Sequence, residues 1–349
     1  MSDAPFSWPH ALTTLLEGRD LGERDTAGAM TEIMEGAATP VQMAGFVVAL
    51  RAKGESAPEI TGLVHTMRSY SKTVPVTGEL LDTCGTGGDR SGTFNVSTAA
   101  AIVCAGAGVR VAKHGNRAAS SRCGSADVLE ALGVRIDLPP EGVAESIEAA
   151  GIGFCFAPVF HPAMRHAAAT RRELGISTIF NFLGPLTNPA GARNQAIGVA
   201  DPSKLGVMVE VLGHLGSSHV VAFHGHGGLD ELSTSGPSQV VELVAGDIRR
   251  WILDPAELGL APASPEALAG GTAAENARAI GDMLGGAPGP RRDIVLLNAA
   301  AGLVAGGAAS SVAEGMDAAA DAVDSGRASL ALERLVESSA GYSEAPPAG

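Results

Sequence analysis

The pattern of apolar and polar positions predicts only helices before about Pro75. Thr39 can cap a helix that has Pro40 at its first position, and Gly54 follows the end of that helix. Residues 56–59 have the spacing of a capping box for the next helix. The first part of the chain is therefore predicted to form a small helical lobe.

Residues 41–50 form an unusually apolar stretch in this lobe, interrupted only by Gln42. A helix that is apolar nearly all round is usually buried on several sides. In a small lobe, such a helix favours packing against a second lobe or a second subunit.

From Glu79 onwards, short apolar strands alternate with helices. Strands are predicted at 80–82, 109–112, 152–156, 195–200 and 219–223, and helices at 97–105, capped by Ser97 or Thr98, and at 125–132. Strand–loop–helix repetition predicts a mostly parallel sheet with helices over its faces. Residues 240–253 indicate an antiparallel hairpin, and the Ser/Ala/Pro/Gly-rich tail after Ser338 is expected to fray.

Residues 176–189 interrupt this alternation, because they are apolar first and then rich in turn residues. A helix is predicted just before them, at 165–174. We expect the chain to return here to the helical lobe. The predicted domains are therefore a small helical domain of 1–75 plus about 164–190, and a large α/β domain of 76–163 plus about 191–349.

Two glycine-rich loops, residues 84–89 and 113–117, follow neighbouring predicted strands. Both are expected at the carboxyl ends of parallel strands, where open α/β sheets bind ligands. In the first loop, successive glycines can turn backbone N–H groups toward an anion, and a helix N-terminus follows. A tight turn with Ser97 as an ordinary cap is the alternative. The dinucleotide fingerprint is not met, because Arg90 stands where its third glycine should be, and no Walker-A sequence occurs.

The second loop supplies a cation, Lys113, in a chain that has four lysines and 20 arginines. Small residues and hydroxyls follow at 118–121, as a backbone wrapped around phosphate oxygens requires. A solvated basic turn is the alternative, and His114 by itself is more often structural than catalytic. Together the two loops predict a phosphate cradle.

Composition narrows the class of ligand. The chain has 349 residues, 45% of them hydrophobic, which is ample for a large core in one or two domains. A net charge of −14 argues against nucleic acid or an anionic membrane as the main partner. Residues 110–122 and 161–172 nevertheless carry basic residues and no acid. A basic pocket in an acidic protein suits a small polyanionic ligand.

The cysteines indicate a reducing, cytoplasmic setting. Cys84, Cys104, Cys123 and Cys155 form no C-x-x-C pair, so neither a disulfide framework nor a zinc framework is expected. The N-terminus lacks the pattern of a signal peptide, and no apolar run reaches membrane-spanning length.

Two charged pairs lie near the expected site. Asp230 and Glu231 follow a predicted strand, so they are expected beside the two loops, where acids commonly hold Mg²⁺ together with phosphate oxygens. Ser97 could add a hydroxyl ligand, and an exposed acidic pair is the alternative. Arg171 and Arg172 can be read as the basic end of a helix.

With these motifs in this order, and with the segment 180–189, the chain resembles the anthranilate phosphoribosyltransferase family, which performs the second step of tryptophan biosynthesis. The resemblance runs from about Trp8 to Ser338. It implies an α/β fold with a mostly parallel central sheet flanked by helices and a smaller all-helical domain. It also implies small-molecule substrates, Mg²⁺ as cofactor and a homodimer formed through the helical domain. Cys123 is a departure, since Ser or Gly is expected there.

The resemblance also implies roles for individual residues, although no general base is assigned. The residues implied for 5-phosphoribosyl 1-diphosphate (PRPP) are Gly85, Gly88, Asp89, Thr93, Asn95, Val96, Ser97, Thr98, Lys113, His114, Gly115, Asn116, Arg117, Ala118, Ala119, Ser120, Ser121 and Ser125. Those implied for anthranilate are Gly85, Asn116 and Arg171, and those for Mg²⁺ are Ser97, Asp230 and Glu231.

Two other functions remain open from the motifs alone. A pyrimidine nucleoside phosphorylase resembles this fold class and also uses a lysine-bearing glycine loop. A relative that keeps the fold but only binds a phosphate ligand or nucleic acid is the second alternative. Asn116 and Arg117 after Lys113, together with the loop 85–89, favour the transferase over the phosphorylase. A non-catalytic relative is expected to lack Asn116 or the acidic pair, or to have a basic surface, whereas this chain has both features and is acidic.

Overall fold

The computed structural model describes residues 5–118 and 122–343, and the N-terminal part of this range is helical as predicted. Its helices are α1 (Trp8–Leu16), α2 (Glu23–Met34), α3 (Pro40–Lys53) and α4 (Ala57–Ser69). The Thr39 hydroxyl accepts the Gln42 N–H at 3.2 Å, while Gln42 Oε1 accepts the Thr39 N–H at 2.8 Å. Glu59 accepts the Ser56 N–H at 2.8 Å. Both predicted caps are confirmed.

Within the single chain, α3 is buried on some sides and exposed on others. Met43, Phe46 and Leu50 are buried, but Val41 is 82% exposed and Val48 is 40% exposed. On α1, which packs against α3, Leu16 is 80% exposed. The helical lobe therefore leaves part of the apolar surface of α3 exposed.

In the described residues, seven strands form one sheet in the order β3-β2-β1-β4-β5-β6-β7. They are β1 (Leu81–Gly85), β2 (Val111–Gly115), β3 (Ile152–Phe156), β4 (Asn194–Gly198), β5 (His219–His224), β6 (Ser238–Val244) and β7 (Asp247–Leu253). The first five strands are parallel, whereas β6 and β7 form the predicted antiparallel hairpin. Leu81 pairs with Val111 on one side and Asn194 on the other, so β1 is central and its carboxyl end adjoins that of β2.

Helices cover this sheet, as the fold prediction requires. The helices that follow α4 along the chain, not all of which lie on the sheet, are α5 (Val96–Gly106), α6 (Ser125–Ala131), α7 (Pro140–Ala150), α8 (Ala157–Phe160), α9 (Arg165–Leu174), α10 (Pro202–His214), α11 (Pro265–Leu268), α12 (Ala273–Leu284), α13 (Pro290–Ala305), α14 (Val312–Asp324) and α15 (Arg327–Gly341). Helix α5 is buried along most of its length because α13, α14 and α15 pack around it. Helix α15 continues three residues beyond Ser338, so the fraying predicted there is wrong up to Gly341.

Helix α9 packs against α2 and α3, as expected for a chain that returns to the helical lobe. Ile179, Phe180 and Leu183 share a core with Met30 and Phe46. These contacts support the predicted discontinuous helical domain, whose boundaries stay a prediction. No helix in the ranges 5–118 and 122–343 combines the length and the apolar character that crossing a membrane requires.

Candidate active site at the carboxyl ends of the strands

The first glycine loop leads from β1 to the N-terminus of α5. Gly87 and Gly88 have φ values of +68° and +84°, which side-chain-bearing residues rarely adopt. The helix cap is Asn95, so the predicted cap at Ser97 or Thr98 is wrong. The helix begins earlier because the Asn95 carbonyl already accepts the Ala99 N–H at 3.1 Å. The Asn95 side chain is engaged elsewhere, since its amide donates to the Cys123 carbonyl at 3.2 Å.

The second loop places the Lys113 side chain between strand β1 and the N-terminus of α5. Lys113 is buried, and its Nζ donates to the Thr83 carbonyl at 2.5 Å and lies 3.4 Å from Ser97 Oγ. Burial lowers the pKa of Lys113, while the nearby Asp82 opposes that shift. Asp82 is fully buried on β1 and accepts the His114 N–H at 3.1 Å, so it also fixes the start of the loop. Asp82 was missed from the sequence, where it read as part of a strand.

The acidic pair lies beside the first loop, as predicted. Asp230 Oδ2 accepts the Gly87 N–H at 2.7 Å, and Glu231 Oε1 accepts the Ser97 N–H at 3.1 Å. Glycine at position 85 leaves room for this approach, because a Cβ there would lie 2.3 Å from Asp230 Oδ2 and would force that carboxylate to move.

A buried asparagine holds the acidic loop from behind. Asn298 accepts the Leu232 N–H at 2.8 Å and donates to the Leu232 carbonyl at 3.0 Å. The Asn298 side chain is buried in α13, 66 positions along the chain from Leu232, and no spacing in the sequence indicates the contact.

The electrostatics of this pair suit a divalent cation. Burial, followed by the charge of Asp89, raises the pKa of Asp230 to about 7, and burial with the charge of Asp230 raises the pKa of Glu231 well above its usual range. No group of three or more His, Cys, Asp or Glu side chains in the described ranges could hold a metal by itself. A Mg²⁺ ion here would therefore need further oxygens, and phosphate groups commonly supply them.

Two buried histidines face each other next to this cradle. His114 Nδ1 lies 3.1 Å from the Gly184 carbonyl, and His161 Nε2 lies 3.1 Å from the Thr187 carbonyl. Because a carbonyl only accepts, each of these nitrogens carries the hydrogen. The other two nitrogens, His114 Nε2 and His161 Nδ1, are buried lone-pair acceptors without a partner in the described residues. His161 had little weight as a candidate in the sequence, and its pairing with His114 emerges only from the fold.

Both histidines stay neutral in the folded protein. Burial, then the proximity of His161, lowers the pKa of His114 to about 3, and burial lowers the pKa of His161 to about 4. Between pH 7 and pH 5 the unfolded chain takes up protons at these positions and the folded chain does not. The stability that neutral histidines contribute is therefore lost as the pH falls below the ordinary histidine pKa.

We expect His114→Gln to reduce this pH dependence. Urea unfolding at pH 7 and pH 5 should show that the free energy of unfolding falls by about 2 kcal/mol less in the variant than in the wild type. His10→Gln, at an exposed position, is the matched control and should follow the wild type. Equal losses for His114→Gln and wild type would show that His114 is not held neutral.

The arginines differ in how far their charges are already paired. Arg171 lies with its guanidinium carbon 5.5 Å from the Phe180 ring centroid, and burial lowers its pKa. In residues 5–118 and 122–343 it has no acidic partner. Arg117, by contrast, forms ion pairs with Asp127 and Glu130. Of these two arginines, Arg171 is therefore the one whose charge is available to a ligand.

The remaining residues implied for PRPP differ in how far they are exposed at the loops. Ser125 Oγ donates to the Asn116 carbonyl at 3.2 Å, and Thr93 bridges to Ala269. Val96 and Thr98 are almost completely buried, so α5 exposes little more than backbone there. Ala119, Ser120 and Ser121 lie outside the described residues.

Two domain models of the glycosyl transferase family match the chain. The helical bundle domain matches residues 9–71, and the a/b domain matches residues 77–329. The boundary between them coincides with the change from helices to the sheet.

Several relatives share about half of their residues with the chain. Anthranilate phosphoribosyltransferases of Pelotomaculum thermopropionicum and Roseiflexus castenholzii are 52% and 54% identical to the chain. The first match covers 94% of this chain and 95% of the relative, and the second covers 92% and 95%.

Solved structures agree with the sequence relatives. A crystal structure of anthranilate phosphoribosyltransferase from Thermus thermophilus has a TM-score of 0.89 and 47% identity, and the match covers 95% of this chain and 99% of that one. The Saccharomyces cerevisiae enzyme in complex with PRPP and Mg has a TM-score of 0.88 and 28% identity, with coverage of 96% and 98%. The chain therefore belongs to the anthranilate phosphoribosyltransferase family of glycosyltransferases.

Proposed function

We propose that the protein transfers the 5-phosphoribosyl group of PRPP to the amino group of anthranilate, giving N-(5-phosphoribosyl)anthranilate and pyrophosphate. The observation that carries this proposal is the meeting of two glycine loops, buried Lys113 and the Asp230–Glu231 pair at one edge of the sheet. Family membership supplies the identity of the substrates.

At the donor end, the chain offers a cation and backbone donors to the diphosphate. Lys113 lies beneath the N-terminus of α5, where the helix dipole and free N–H groups favour negative charge. The first loop and residues 93–98 would hold the diphosphate and ribose, and the second loop with Ser125 would hold the phosphate groups. Arg117 would act mainly by shaping the loop, because its charge is already paired.

Asp230, Glu231 and Ser97 would hold Mg²⁺ against the diphosphate. A bound Mg²⁺ would stabilise the negative charge that builds up on the leaving group. The raised pKa values of the two carboxyls fit this role. A bound cation would offset both the cost of burying two negative charges and the repulsion between them. Without phosphate oxygens, the pair offers too few ligands for tight binding.

At the acceptor end, Arg171 would pair with the anthranilate carboxylate, since a planar guanidinium matches it in two hydrogen bonds. Asn116 and Gly85 would border the aromatic amine.

The chemistry would then depend on position and charge. The bond from ribose C1 to the diphosphate oxygen breaks and its electron pair leaves with pyrophosphate, while the sugar becomes oxocarbenium-like. The amine nitrogen forms the new bond to C1 and then gives up one proton to water. Lys113 would stabilise the departing diphosphate. The aromatic amine is a neutral nucleophile at pH 7, so a strong base is not required before attack.

One assay separates this function from the alternatives. Protein, Mg²⁺, PRPP and anthranilate are mixed, and the loss of anthranilate fluorescence is followed with release of pyrophosphate. We expect both signals with equal stoichiometry. Phosphorolysis of a pyrimidine nucleoside by inorganic phosphate, without anthranilate consumption, would instead identify a phosphorylase, and binding of PRPP without either reaction would indicate a non-catalytic relative.

We also propose that the exposed apolar residues of α1 and α3 form a homodimer contact. Leu16 and Val41 leave large apolar surfaces in water on two helices that pack together. We expect Leu16→Glu combined with Val41→Glu to convert a dimer into monomers in sedimentation equilibrium. Ile248→Glu, which changes an exposed apolar residue on β7, should leave the dimer intact. A wild-type monomer, or a dimer that survives the double substitution, would contradict this contact.

A further inference from the structure

A cavity of about 370 Å³ beside the donor loops has no role in the proposed reaction. Arg122, Arg278 and Arg291 line it, together with Glu275 and Asp282. This volume falls in the range of small-ligand sites. Three guanidinium groups around one cavity are suited to an anion with several oxygens.

Arg291 is the fixed member of this group. Its Nη2 donates to the Ala269 carbonyl at 3.0 Å, and its guanidinium carbon lies 5.6 Å from the Phe94 ring centroid. Its Nε is buried and has no hydrogen-bond partner in the described residues. Because this N–H is enclosed, an anion in the cavity would meet the outer Nη groups of Arg291 rather than its Nε.

Arg122 and Arg278 provide charges that are not used elsewhere. In the part of the chain that the structure describes, neither forms an ion pair or a side-chain hydrogen bond. They do act on Glu275, whose pKa is lowered chiefly by hydrogen bonds from Thr272 and further by these two charges. Because Thr272 occupies one Glu275 oxygen, the acid only partly compensates the arginines.

The wall of the cavity is also the back of the donor site. The Gly270 N–H donates to the Gly92 carbonyl at 2.7 Å, and a Cβ at Gly270 would lie 2.8 Å from the Thr93 carbonyl. Asn276 lines the cavity and donates to Asn95 Oδ1 at 2.9 Å. A bound anion would therefore lie close to the end of the first donor loop, at residues 92–95.

We propose that this cavity is a second oxyanion site, separate from the PRPP site, which takes a small phosphate-type anion. Free phosphate and the pyrophosphate released by the reaction share this chemistry. The inference rests on the proposed function in one respect, namely that the neighbouring loops hold PRPP.

The test is a calorimetric titration with inorganic phosphate of enzyme saturated with PRPP and Mg²⁺, without anthranilate. We expect one phosphate site to remain, and Arg122→Gln combined with Arg278→Gln to weaken it about tenfold or more. Arg334→Gln, which changes an exposed arginine on α15, is the matched control and should bind as the wild type does. A parallel titration with pyrophosphate shows which anion the cavity prefers.

Two outcomes would overturn the proposal. Loss of all phosphate binding when PRPP is added would mean that the donor loops hold the only site. Wild-type binding by the double variant would mean that the arginines do not form it. Fluorescence turnover on the same samples tests the proposed function separately. If PRPP is not used, the titration without PRPP still shows whether the double variant loses one phosphate.

Discussion

Replacing both acids, Asp230→Asn with Glu231→Gln, is expected to lower kcat/KM for PRPP by about a thousandfold and to abolish its response to Mg²⁺. The amides keep the shape of the side chains but lose the charge that would hold the cation. Hydrogen bonds to the Gly87 and Ser97 N–H groups can be retained by the amide oxygens. A Mg²⁺ titration of initial rates measures the effect.

This loss should occur without unfolding. Burial disfavours both charges in the wild type, so their removal should leave the melting temperature unchanged or raise it. Asp317→Asn, at an exposed acid on α14, is the matched control for activity. A double variant with an unchanged Mg²⁺ titration would remove Asp230 and Glu231 as the ligands.

Arg171→Ala should raise KM for anthranilate about a hundredfold while changing KM for PRPP by no more than about twofold. The reason is that Arg171 has no acidic partner in the described residues and lies over Phe180, so its charge is available to the acceptor carboxylate. Arg171→Lys should recover part of the loss, because an ammonium keeps the charge but not the planar pair of donors. Steady-state kinetics with each substrate varied gives both constants.

A substrate analogue makes this assignment sharper. 2-Aminobenzamide lacks the carboxylate charge, so the wild type should strongly prefer anthranilate, whereas Arg171→Ala should discriminate little between the two. Arg172→Ala, at the exposed neighbouring position, should behave as the wild type. Equal losses for both substrates, or an equal rise in KM for PRPP, would exclude pairing between Arg171 and the carboxylate.

The site could be predicted from the sequence to the extent that local chemistry marks it. Glycine runs, a rare lysine and adjacent acids after strands each have a physical meaning that does not depend on distant contacts. The cap of α5 was placed wrongly because Asn95, Ser97 and Thr98 are all good N-cap residues and local preference does not choose among them. Asn95 takes the position instead, with its side chain held between Cys123 and Asn276.

By contrast, the sequence could not predict which arginines form ion pairs. Arg117 and Arg171 look alike in sequence, since each lies in a stretch that contains basic residues and no acid. Only the fold brings Asp127 and Glu130 to Arg117 and leaves Arg171 against an aromatic ring. The exposed face of α3 is a similar case, since its apolar pattern indicated burial that a single chain does not provide.

The sequence by itself determined the alternation of strands and helices, the two loops and the family, because periodicity, turn residues and motif order are local properties of the chain. The tertiary structure decided which charges are buried and unpaired. It set the pKa values of Asp230 and Glu231, the neutral histidine pair, and the support from Asp82 and Asn298. Burial and proximity arise only when segments far apart in sequence are packed together.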